Sequence, residues 1–532
     1  MTPLPAQKQG ATLPWQEGQA LFEWLLKMPA SQPLPDGCRY DAQQLLFGEP
    51  ASGSSGSGDH DAPPPAGANT LEELAVHIHE LLLAAARSAG DESCQARVQL
   101  YQFVRNASLL PLADPLTEAI CAGRDEHDAH GLAELARWLV RRAAHRGPLK
   151  LGLVLLGLVG EPADVPDLVH LARHDEFTLF AAVAAGRILD EPCETWWRMA
   201  QQNYGAGRVV LVERLSTYCS ESPEVRHWLL TEGFRVEGFE AELALHCAKG
   251  ARLSAVLATP ALPPDVLGAA CELMRHLLRS TSPQHPPLIG EYPEARFAVA
   301  HLLRHLSQQP AAALAGAEVA LAVRAWLESH HALTCTSASL RRTLTQQCEG
   351  LLSRSHWLRL VSTAVRTGTE AERQRAFDVA AGLGLDLWDE TLERFNFVPL
   401  TAPWVRRLAR EQPQERLLEL LRLGSKQLPH DEIATGPAEQ LRLDEPGFEP
   451  HAALDALLGV ISNDAITLFE PRLIATAIRS PVVRNRYAAL TILQYVPRAL
   501  WGTNVEQALR HVRFCEPDVE LAEQWQRLAE AS

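Results

Sequence analysis

Leu158-Val159-Gly160-Glu161-Pro162 returns as Ile188-Leu189-Asp190-Glu191-Pro192, the same order of apolar pair, turn former, Glu and Pro displaced by 30 residues. Between the two copies, Ala163 to Arg187 reads as one helix, a polar turn at Arg173-His174-Asp175-Glu176, and a second helix. Two helices in so short a unit cannot bury their own apolar faces, and stacking on like units resolves this. The expected fold is therefore all-α: an α-solenoid of stacked antiparallel helix pairs.

The pattern extends outward. Apolar residues recur at three and four, as in Leu273, Leu277 and Leu278 or Ala298, Leu302 and Leu306. This spacing predicts helices over Leu71 to Ser88, Leu132 to Ala144, Leu149 to Val159, Val165 to Arg173, Thr178 to Leu189 and Arg208 to Tyr218. Further ones follow at Val266 to Leu278, Glu294 to Leu306, Ala371 to Leu383 and Val482 to Tyr495, and no strand stands out. Prolines fall at helix starts or in connections, as at Pro148, Pro162, Pro192, Pro223 and Pro481. Pro283 to Tyr292 and Gly424 to Pro450 are candidate interruptions.

The array is not the whole chain. Residues 1–48 carry Trp15, Leu21, Phe22, Trp24, Leu25 and Leu26 at helical spacing and read as a short ordered helical piece. Residues 49–69 run from SGSSGSGDHD into APPPAGAN, a flexible stretch passing into a stiffer one, and read as a linker. Residues 70–282 form the array, best defined over 148–219, and 283–532 continue it less regularly. A chain of 532 residues is too long for one core, but a stack grows by addition.

Composition narrows the classes. A formal net charge of -16 opposes sequence-independent nucleic-acid binding and attachment to anionic lipid. Lys occurs only at 8, 27, 150, 249 and 426, so Arg dominates the cations; with the heavy use of Ala, this suggests a GC-rich bacterial genome. No run reaches the ~20 apolar residues of a membrane span, and Met1 to Gly18 lacks the features of a secretory signal. Ten scattered cysteines without a CxxC pair read as buried free thiols in a reducing cytoplasm.

The stretch Gly157-Leu-Val-Gly160-Glu-Pro-Ala-Asp-Val-Pro166-Asp-Leu-Val-His-Leu-Ala, followed by Phe180-Ala-Ala-Val-Ala-Ala-Gly-Arg-Ile188, resembles a HEAT-like repeat of the class also seen in bacterial phycobilisome lyases. Ser480-Pro-Val-Val-Arg-Asn-Arg486-Tyr-Ala-Ala489 is a weaker second copy. Thr178-Leu179 stands where the family has Val-Arg, which puts the Arg and Asp ladder of such arrays in question. His145 to Gly152, Arg173 to Phe180 and Gly207 to Leu215 further resemble uncharacterised bacterial HEAT-like proteins, some named limonene hydroxylase.

The hydroxylase name implies oxygen activation, which demands haem, flavin or iron. Gly205-Ala206-Gly207 is the nearest approach to a dinucleotide fingerprint, but Val210 stands where the third Gly belongs. A di-iron site would use Glu224-x-x-His227 and Glu328-x-x-His331 with Glu194 and Glu294. Such pairs are expected by chance among 20 His and dozens of Glu, and they lie far apart in a linear stack. His301 and His305, and likewise His170 and His174, share a helical face and read as solvated rather than metal-binding. Trp196-Trp197 and Trp228 read as core between stacked helices.

The leading functional reading is a non-catalytic scaffold or adaptor in the cytoplasm, without cofactor or bound metal, whose concave face or turn edge holds a protein partner. His174, Asp175 and Glu176 are its candidate contacts, as polar residues expected to be exposed on a rigid frame. The competing reading is that Asp175 and Glu176 cap the following helix. The alternatives are an oxygen-dependent hydroxylase and a HEAT-like DNA glycosylase; the acidic balance opposes the basic groove a glycosylase needs.

Overall fold

A computed structural model describes residues 13–29, 34, 70–87, 94–123, 128–279, 287–308, 314–395 and 398–530. The regular elements among these are helices, with one isolated bridge between Gln440 and Val482. The linker at 49–69 and residues 283–286 of the proline-rich segment lie outside the described residues. Packing divides the chain into two compact units, Met1–Arg354 and Ser355–Ser532.

In the first unit the 30-residue echo is a physical repeat. It contains α1 (Ala129–Arg142), α2 (Arg146–Val159), α3 (Val165–Leu171), α4 (Asp175–Ile188), α5 (Cys193–Gln202) and α6 (Gly207–Tyr218). Every second helix packs on the next, α2 on α4 and α4 on α6, while α3 and α5 form the facing layer. Helix α2, the most apolar, is buried from Gly147 to Leu156, the signature of a helix with neighbours on all sides. This is the stacked arrangement of an α-solenoid.

Polar side chains stitch one repeat to the next, and the sequence separation of the partners matches the repeat length. Arg137 grips Asp164 with two bonds, Nε to Oδ1 at 2.8 Å and Nη2 to Oδ2 at 3.0 Å, across 27 residues. Arg141 donates to Asp167 across 26. In the second unit Trp388 donates to Glu419 across 31, and Arg486 forks onto Glu516 across 30. The two Arg and Asp pairs, Arg137 with Asp164 and Arg141 with Asp167, belong to one joint, between α1 and the start of α3.

The N-terminal piece docks on this array. Trp15 packs edge-on against Tyr101 and Trp138, with ring centroids 5.5 and 4.8 Å away. Arg173 donates to the carbonyls of Leu25, Met28 and Pro29, satisfying the end of the helix Leu21–Lys27.

The expectation of buried free thiols needs correction at one bonded pair and at two exposed thiols. Cys193 and Cys219 form a disulfide that ties the start of α5 to the end of α6. Cys247, Cys271 and Cys348 are buried free thiols as expected, and Cys121 and Cys515 are exposed ones. Cys38 lies outside the described residues.

The second unit repeats the two-layer logic. One layer holds the helix Ala402–Leu408, α8 (Glu449–Ser462), α10 (Val483–Tyr495) and the closing helix Val519–Glu530. The other holds α7 (His430–Ile433), α9 (Pro471–Ile478) and α11 (Gly502–Cys515). Between α7 and α8 the chain leaves the helical pattern, within the expected interruption at 424–450. There it lies along the start of α10, with Val483 N donating to Gln440 O at 3.0 Å.

Candidate functional site

The turn singled out in the sequence is not an exposed edge. His174 and Asp175 are each only 3% exposed, and the Glu176 side chain is buried too. At the two histidines the cause is the N-terminal piece: in the helix Leu21–Lys27, Phe22 lies edge-on to His170 and Trp24 edge-on to His174. The pairing of His170 and His174 as a solvated face is corrected for the same reason.

Each residue of the turn then has a structural task. His174 is the N-cap of α4, its Nδ1 accepting from Glu176 N at 3.2 Å. Glu176 accepts from Lys150 and Arg146 of α2. Burial pushes its carboxyl up, but the two cations outweigh that and hold it below the usual range. Asp175 reaches forward instead, where its Oδ1 accepts from Gly207 N at 2.8 Å. Burial dominates here and drives its carboxyl up to about 6.

The small size of Gly205 and Gly207 is explained by this carboxylate and its neighbours. A Cβ on Gly205 would stand 2.2 Å from Asp175 Oδ2, and one on Gly207 2.3 Å from Thr178 Oγ1. They are small so that one repeat can seat the turn of the one before it. Asn203 completes the joint, its Nδ2 donating to Ala172 O at 2.9 Å and Thr178 Oγ1 at 3.0 Å.

The residues of the di-iron alternative are not gathered. Glu194, Glu224, His227, Glu294 and Glu328 are all exposed, and Glu224 accepts from Ser222 Oγ beside it. The side chain of His331 lies outside the described residues. Among the described residues no group of three His, Cys, Asp or Glu is placed to share a metal ion. The solvated face assigned to His301 and His305 is corrected at His305, which is fully buried with its Nε2 2.9 Å from Leu257 O. Trp196 is core, its Nε1 donating to Ala182 O at 2.8 Å.

A different feature has the character of a site. In the second unit, α7, α9 and α11 enclose an open groove of about 380 Å³. Its lining includes one alanine from each segment, Ala434, Ala475 and Ala508, whose short side chains leave room between the helices. Arg472 and Arg479 lie seven residues apart, at the start and just past the end of α9. That is two helical turns, so both fall on one face. Helix α11 contributes Asn504, Gln507 and His511, again on one face by their spacing of three and four.

The groove combines fixed and free groups. His430 is anchored, with Nε2 2.6 Å from Ser425 O and Nδ1 2.7 Å from Thr476 Oγ1. Arg472, Arg479, Asn504, Gln507 and His511 are exposed. No side-chain hydrogen bond or ion pair engages either arginine among the described residues. Asp431 is the only carboxylate in the lining. The sequence reading missed these residues, although Pro471-Arg-Leu-Ile-Ala-Thr-Ala-Ile-Arg479 offers a signal: two arginines two turns apart on an otherwise apolar helix.

No family model and no curated protein matches the chain. Among solved structures, the chain is similar to one described as a circular tandem repeat protein with novel repeat topology and enhanced subunit contact surfaces. The two are 18% identical over 86% of this chain and 94% of that one, with a TM-score of 0.15.

Proposed function

We propose that the protein is a non-catalytic scaffold of the HEAT-like class that holds a protein partner in the groove between α9 and α11. The observation that carries this is the groove itself: Arg472, Arg479, Asn504 and Gln507 face solvent without side-chain partners among the described residues, around a floor of alanines. Elsewhere the conspicuous polar groups, such as His174, Asp175, Glu176, Arg208 and Arg486, are buried and spent on the joints between repeats. The contact surface is thus assigned to the groove and not to the turn. The HEAT-like assignment rests on the Gly-Glu-Pro turn, the short first helix and the Ala-rich second helix of the best repeat.

A photo-crosslinking residue at Gln507 tests the proposal against one at Gln494, exposed on α10 in the other layer. A discrete protein adduct from Gln507 alone, lost when Arg472 and Arg479 become Gln, is the expected result. Equal adducts from both positions sink it.

The proposed compartment is the cytoplasm. No helix among the described residues is long and apolar enough to cross a membrane. A disulfide is uncommon in a reducing compartment. Alkylation of the protein at lysis, followed by mass spectrometry of Cys193 and Cys219, decides this: free thiols support the cytoplasm and a bonded pair argues against it.

A further inference from the structure

We infer that the groove recognises an extended acidic protein segment, with two carboxylates three residues apart seated on Arg472 and Arg479. This rests on the reading of the groove as a partner site and adds the chemistry of the partner.

The spacing of the arginines sets the register. Seven residues of helix advance about 10.5 Å, and three residues of extended chain advance about 10 Å. Carboxylates at positions i and i+3 of an extended segment therefore match the two guanidinium groups, each of which can hold a carboxylate with two parallel bonds. Adjacent carboxylates would reach only one.

The second wall favours a peptide over a simple anion. Asn504 and Gln507 each carry a donor and an acceptor, the complement of a backbone amide. Their amides line α11 as the arginines line α9, so a chain between them meets charge on one side and backbone partners on the other. The alanine floor lets a main chain approach closely. Asp431, as the only lining carboxylate, leaves the groove locally cationic despite a net charge of -16 over the chain. Charges beyond about 8 Å are largely screened at physiological salt, so the local balance governs the bound state.

Nucleic acid fits less well. Two arginines neutralise few phosphates, and the lining carries no Phe, Tyr or Trp; of its two imidazoles, His430 is already held by Ser425 and Thr476.

The test uses the full chain and fluorescein-labelled dodecapeptides of Gly, Ser and Ala carrying two Glu. Anisotropy should show saturable binding when the Glu are three apart. Binding should weaken about tenfold when they are changed to Gln and severalfold when they are adjacent, consistent with modest exposed charge pairs. The double variant R472Q/R479Q should lose binding, and each single variant about three- to fivefold. Equal binding of the Gln peptide, or unchanged binding to the double variant, overturns the inference. So does tighter competition by a single-stranded oligonucleotide or by free succinate. Self-association of the chain alone that disappears in R472Q/R479Q would put a second copy in the groove and overturn it as well. If no peptide binds at ~1 mM while Gln507 still crosslinks a partner, the acidic-segment inference falls and the scaffold reading stands.

Discussion

The turn at His174-Asp175-Glu176 and the groove of Arg472 and Arg479 are both built from charged residues at helix ends, yet they have opposite fates. In the first unit every member of the turn is buried and engaged by a neighbouring helix pair or by the following turn. In the second, the arginines stand in solvent with no side-chain partner among the described residues. Polarity in a repeat turn is thus no guide to a binding surface, because the same residue types serve as mortar between units. What separates the two is whether a neighbouring element carries the complementary group.

The largest consequence is energetic. Removing the Glu176 side chain leaves Lys150, itself only 7% exposed, as a buried charge without its main partner. Glu176→Ala should lower the unfolding free energy of the first unit by about 3–5 kcal/mol, read from the shift of its denaturation midpoint. The paired replacement Lys150→Met with Glu176→Leu should recover most of that, since desolvation of both charges is then avoided. A small effect of Glu176→Ala would mean that the turn is not the joint described and would blur the contrast with the groove.

Asp175 and Glu176 are chain neighbours whose carboxyls shift in opposite directions, which offers a second handle. Asp175 is raised, first by burial, to about 6, from the ordinary carboxyl value of 3.8. The folded state therefore holds this proton more tightly than the unfolded state does. Its contribution is fully present below about pH 4 and is lost as pH rises through 6, a change of roughly 3 kcal/mol. Glu176 is depressed, so its contribution is present above its unfolded value and lost as pH falls through the folded one. Between pH 4 and 7, wild type should lose stability relative to Asp175→Asn. Relative to Glu176→Gln, wild type should gain stability as pH rises through the acid range. Parallel pH profiles for the two variants would refute the opposed pair.

These details also mark what the sequence can tell. The helix pair around 158–192 is legible because a period of 30 and helical spacing are local patterns. The burial of His174 was not, since it depends on Trp24 and Phe22 about 150 residues earlier, across a linker. Why Gly205 and Gly207 are glycines was out of reach for a related reason. Their need for small size comes from Asp175 at Gly205 and from Thr178, Asn203 and Asp175 at Gly207, contacts made only once the repeats stack. Arg472 and Arg479 were hidden among 49 cations, since only the packed structure separates unpaired arginines from those that hold joints.

The smallest expected effect is the one that most sharpens the contrast. Arg472 and Arg479 are exposed and unpaired among the described residues, so replacing both with Gln removes no packing contact of consequence and leaves no buried group without a partner. Exposed substitutions of this kind stay within about 0.5 kcal/mol. The melting temperature of R472Q/R479Q should therefore match wild type to within a degree or two. A larger loss would mean that the arginines are structural, like Arg137 or Arg486, and that the groove is another joint. An unchanged melting temperature accompanied by loss of the Gln507 adduct would separate binding from folding. The turn cannot show that separation, because there the charges that would recognise a partner are the ones that hold the repeats together.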